Sequence, residues 1–84
     1  MKRYKVDFLT FTSNNFVKSD CGDITFINGG TTTITINDSL KLFAGSSLSL
    51  SANENEIDQT TYSFKFSGLS GSGNLLTVLR KIFI

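Results

Sequence analysis

The sequence predicts an all-β domain, a small antiparallel β-sandwich or barrel of the jelly-roll or immunoglobulin-like kind, built from seven or eight short strands. Three observations carry this reading. Apolar and polar residues alternate with period two in one segment after another, as strands with one covered face do. Threonine, isoleucine, valine, phenylalanine and tyrosine run from end to end, and proline is absent. Clusters of Gly, Asn, Asp and Ser interrupt the chain at short intervals, where turns between short strands are needed.

Arg3 to Phe11 is the first expected strand. Tyr4, Val6 and Phe8 share one face, Lys5 and Asp7 the other, and Leu9 and Phe11 join the second face late. That pattern gives one face in a core and the other partly covered, with the apolar run from Tyr4 as the core face. Ser13-Asn14-Asn15 reads as a turn, and Phe16 to Lys18 as a short strand ended by Ser19-Asp20-Cys21-Gly22. Asp23 to Ile27 and Thr31 to Asn37 then read as a hairpin, because Asn28-Gly29-Gly30 between them supplies residues tolerant of positive φ.

Asn37-Asp38-Ser39 marks another turn, after which Leu40 and Leu42 alternate around Lys41. Ala44-Gly45-Ser46 breaks the chain, and Leu48 and Leu50 alternate with Ser47, Ser49 and Ser51, an uncharged outward face rich in hydroxyls. Ala52 to Gln59 is a polar loop. Thr60 to Ser67 returns to strand, with Tyr62, Phe64 and Phe66 on one face. Gly68 to Gly73 is expected to be a flexible hairpin loop. Asn74 to Ile84 fits either period, but its threonine, valine, isoleucine and phenylalanine and the lack of a helix cap favour a strand. No repeat, linker or charge block divides residues 1–84, which are expected to form one domain.

Little in this inventory supports catalysis. Histidine is absent and Cys21 is the only cysteine, so no side chain is set to move protons near neutral pH and no thiol has a partner base. No Gly-x-Ser-x-Gly elbow aims a serine. The segment Gly68 to Gly73 lacks the spacing and the Lys-Ser/Thr of a phosphate-binding loop. Glu54, Glu56 and Asp58 stand at every second position, an arrangement able to meet Ca²⁺, but they do not match an EF-hand and read better as a solvated loop. No catalytic residue, cofactor or metal site is therefore assigned.

A net charge of +1 argues against a dedicated nucleic-acid or membrane-surface protein. Lys2, Arg3 and Lys5 near one end and Arg80 and Lys81 near the other, with Tyr4 and Phe83 between them, sketch a small basic-aromatic patch. Basic residues guarding sheet edges explain them better. Both tyrosines lie on apolar strand faces, where core packing is the default and sugar stacking the exception. Met1-Lys2-Arg3 is followed by alternation instead of a signal-peptide run, and no segment approaches membrane-spanning length.

What remains is association. Eight phenylalanines and two tyrosines in 84 residues, with the tail Leu79 to Ile84, are more apolar bulk than one thin core readily covers. The candidate interface residues are Tyr4, Leu79, Ile82, Phe83 and Ile84.

The stretch Thr33-Ile34-Thr35-Ile36-Asn37-Asp38-Ser39-Leu40-Lys41-Leu42-Phe43-Ala44-Gly45-Ser46-Ser47-Leu48-Ser49-Leu50 resembles a pattern of small virion proteins of tailed bacteriophages, especially those infecting Bacteroidota. There an alternating strand leads through a turn into Leu-x-Leu, a Pro-Gly-Ser or Ala-Gly-Ser turn and another alternating strand, and Ala44 stands where proline is common. The resemblance implies a non-enzymatic β-sandwich subunit of a capsid, tail or fibre, assembled in the host cytoplasm into the virion. Its partners would be copies of itself or a major virion protein, and no membrane or nucleic acid. A glycan- or ligand-binding module and an inhibitor or immunity-type protein are the alternatives.

Overall fold

Alternation is realised as eight strands and no helix in the computed structural model, which describes residues 3–20, 22–51, 57–68 and 73–83. The strands are β1 (Tyr4–Phe11), β2 (Asn15–Lys18), β3 (Asp23–Asn28), β4 (Ile34–Ile36), β5 (Leu40–Leu42), β6 (Ser47–Ser51), β7 (Thr61–Phe66) and β8 (Leu76–Phe83). The last settles the ambiguous segment: Leu76–Phe83 is a strand.

The pairing follows one rule. β4 pairs with β5, β3 with β6, β2 with β7 and β1 with β8, all antiparallel, so the chain is one long hairpin closed at Asn37-Asp38-Ser39. Asn37 and Asp38 both take positive φ there, and the Ser39 N–H donates to the Ile36 carbonyl at 3.2 Å, which is the φ pattern of a type I′ turn. Rolling that ribbon over brings β8 beside β3 and β7 beside β4, giving two sheets in the orders β1-β8-β3-β6 and β2-β7-β4-β5. This is the jelly-roll order, one of the two sandwich types that the sequence suggested.

Between the sheets lie Val17, Ile24, Phe26, Ile34, Ile36, Leu42, Tyr62, Phe64, Phe66, Leu76 and Val78, all buried. Leu9, Phe11, Leu48, Leu50 and Ile82 close the core's margins. Phe26 meets Tyr62 edge-on with ring centroids 5.2 Å apart, and Phe11 tilts onto Phe64 at 4.8 Å, so each pair joins one sheet to the other.

Two expected hairpins are corrected by this topology. β3 and β4 lie in different sheets, so Asn28-Gly29-Gly30 is the start of a crossover and not a hairpin turn. Gly29 and Gly30 do not use positive φ; the described glycines that do are Gly45 and Gly73. Gly30 is needed for a close approach instead, since a Cβ there would lie 2.2 Å from the Gly73 carbonyl oxygen. Asn28 is buried at the same corner, its amide donating to the carbonyls of Thr32 and Leu42 at 2.8 and 2.9 Å and its Oδ1 accepting from the Gly30 N–H. Likewise the segment from Gly68 to Gly73 joins β7 to β8 across the two sheets and is not a hairpin loop, although residues 69–72 lie outside the described residues.

Candidate functional site

β1 is an edge strand of the first sheet, and its register against β8 fixes which face it buries. Phe11 stands opposite Leu76 and Leu9 opposite Val78, both of them core residues, so Leu9, Asp7 and Lys5 turn toward the second sheet. Tyr4, Val6 and Phe8 therefore point outward, with 55%, 45% and 69% of their surface exposed. The expectation that this run is the core face is overturned, and with it the expectation that Tyr4 packs in the core; Tyr62 does so. The long reach of the β1–β8 pairing decides the matter, because apolar residues occupy both faces of β1.

On the inward face, Asp7 meets Arg80. The guanidinium donates to Asp7 through Nε at 3.1 Å and also through Nη2, while Nη1 donates to the Lys18 carbonyl at 2.7 Å. Arg80 thereby ties both sheets together beside Ile24 of the core. It is not an edge guard, since β8 is an interior strand of its sheet.

On the outward face, the register sets Phe8 beside Leu79 and Val6 beside Lys81. Lys81 Nζ lies 4.4 Å from the Tyr4 ring centroid, a cation–π contact that covers part of that ring. Toward β3 and β6 the same face turns polar, with Thr25 and Ser49 hydroxyls 3.1 Å apart and Ser47 and Ser51 exposed. The result is a solvent-facing apolar stripe along one edge of the sheet.

Of the expected interface residues, Tyr4 and Leu79 belong to this stripe. Phe83 is paired with Tyr4 in the β1–β8 register, Ile82 is taken up by packing against the core, and Ile84 lies outside the described residues. Val6 and Phe8 are the members that the sequence reading missed, having been assigned to the core. The basic patch is divided: Lys5 and Arg80 project to the inward face, Lys81 to the outward one, and Lys2 lies outside the described residues.

Elsewhere, Glu54 and Glu56 lie outside the described residues, and Asp58 is engaged structurally. It accepts from the Thr60 N–H at 2.8 Å and the Tyr62 hydroxyl at 2.7 Å. Burial raises its pKa, but the hydrogen bonds from Thr60, Tyr62 and Ser19 outweigh that and hold it at about 2, below the ordinary 3.8. Cys21 also lies outside the described residues.

Compared with protein-family models, curated protein sequences and solved structures, the chain has no significant match in any of the three.

Proposed function

We propose that this chain is a structural accessory subunit of a larger particle, of the tailed-phage virion kind that its strand-turn pattern resembles, and that it works through contact instead of catalysis. The observation that carries the reading is the outward stripe of Tyr4, Val6, Phe8 and Leu79 on a jelly-roll sheet. Water-facing apolar groups gathered on one rim of so small a protein mark a surface that a partner covers. The jelly roll alone supports no such conclusion, since many unrelated functions use it. Partners proposed for the stripe are a major virion protein and further copies of the chain. The particle, assembled in the host cytoplasm, is the proposed location.

The test is mass spectrometry and immunoblotting of gradient-purified particles from cells that produce the chain. Co-sedimentation in fixed stoichiometry, lost on Val6→Asp while the soluble variant stays folded, supports the proposal. Recovery of the wild-type chain only from the soluble fraction overturns it.

The exposed Tyr4 also favours a second reading, a module that stacks a sugar on the sheet. Lys81 already sits over that ring, so this reading ranks below the first. A glycan-array signal abolished by Tyr4→Ala would reverse the order.

A further inference from the structure

The two sheets have four edge strands, and they are not alike. β2, β5 and β6 run for 4, 3 and 5 residues, whereas β1 runs for 8. Short edges resist strand addition and long, straight ones invite it. β1 has no proline, and none of its described residues has positive φ.

We infer that β1 pairs with β1 of a second copy, antiparallel across a two-fold axis through Val6, so that the two first sheets become one continuous sheet. The inference rests on the contact role proposed above and names one partner for it. The register follows from two constraints. On an edge strand only alternate residues turn their N–H and C=O toward the free side, so an isologous antiparallel pair must place its axis through a residue and never between two. Among the residues near the strand's middle, an axis at Lys5 sets lysine opposite lysine, and one at Asp7 sets aspartate opposite aspartate. An axis at Phe8 sets Asp7 opposite Leu9 and Lys5 opposite Phe11. An axis at Val6 sets Lys5 opposite the second copy's Asp7 twice over, and Tyr4 opposite the second copy's Phe8 twice over.

Opposite charges and aromatic pairs directly across a ladder stabilise it, whereas like charges weaken it. Lys5 and Asp7 share the inward face and Tyr4, Val6 and Phe8 the outward face, so each pair meets on its own side of the joined sheet. Asp7 keeps its bond to Arg80 and gains a second cation. Outside, two apolar stripes merge across the axis into one patch twice as wide, able to seat a further partner.

The competing account makes Lys5 an inward-pointing charge that keeps other strands away. The two are separated by disulfide trapping of the full-length chain in a Cys21→Ser background. Residues opposite each other in an antiparallel pair have Cα atoms about 4.5–5.5 Å apart, inside the disulfide range. Val6→Cys is therefore expected to give a covalent dimer under mild oxidation at least tenfold faster than Tyr4→Cys or Phe8→Cys, whose own symmetry mates stand about 13 Å away along the strand. Adding Lys5→Asp, which opposes two carboxylates, is expected to cut the Val6→Cys rate by tenfold or more while the circular dichroism spectrum is unchanged. Equal trapping at all three positions, no trapping at Val6, or indifference to Lys5→Asp overturns the inference. A chain that co-sediments with particles but fails to trap at Val6 leaves the contact role standing and removes only this pairing.

Discussion

Arg80 and Asp7 stand 73 residues apart in sequence and hold each other on the inward face of the first sheet, with the Arg80 side chain only 19% exposed. Because the same guanidinium reaches the Lys18 carbonyl, the contact spans both sheets. Arg80→Ala is expected to lower stability by about 1.5–3 kcal/mol, the range for hydrogen bonds to a charged group. Arg80→Lys keeps the charge but not the fork, and should recover less than half of that. The check is the urea midpoint at constant m-value.

Gly30→Ala is expected to cost about 1–3 kcal/mol, because the new Cβ meets the Gly73 carbonyl oxygen and the Leu75 nitrogen, and backbone yields poorly. Gly29→Ala is the control. Its Cβ would meet only the flexible end of Leu75 at 3.2 Å, so its thermal midpoint should move far less.

Asn28→Leu should lower stability by about 2 kcal/mol or more, since it removes the donor shared by two carbonyls at a buried corner. Asn28→Asp should be worse, as it turns an acceptor toward those same carbonyls. Both are read from thermal unfolding.

Acid sensitivity should trace in part to Asp58. Its folded pKa of about 2 lies below the ordinary 3.8, so its contribution is fully present above about pH 4 and is lost as pH falls through 2. In Asp58→Asn the stability curve should flatten over that window. Tyr62→Phe, which removes one of the hydrogen bonds holding the carboxylate ionised, should shift the loss toward higher pH.

Strand identity was legible in the sequence because period-two alternation is a local property, and the Asn37-Asp38 turn and the buried Tyr62, Phe64 and Phe66 are where that pattern places them. Partnering was not. Asn28-Gly29-Gly30 has the residues of a hairpin turn, yet here glycine answers to a neighbouring backbone more than 40 residues away. No local signal distinguishes a turn that returns along a sheet from one that leaves it.

The face of β1 failed for a related reason. Tyr4, Val6 and Phe8 compete with Leu9 and Phe11 for the core, and the outcome is set by which of them the β8 register aligns with Leu76 and Val78. One signal was available: Lys5 and Asp7 carry opposite charges two residues apart, and a cation later in the chain, Arg80, gives Asp7 an inward partner.

The central claim is that the β1 stripe faces a second copy of the chain and not the core, and sedimentation velocity of the wild-type chain beside Val6→Asp tests it most directly. The wild type is expected to sediment, in a concentration-dependent way, as a species of at least twice the 9.2 kDa chain mass. Val6→Asp should sediment as a monomer with an unchanged circular dichroism spectrum, because the aspartate replaces a solvent-facing side chain and opposes its own copy at the axis. A wild-type monomer at the highest attainable concentration, or a Val6→Asp chain that unfolds, would contradict the claim.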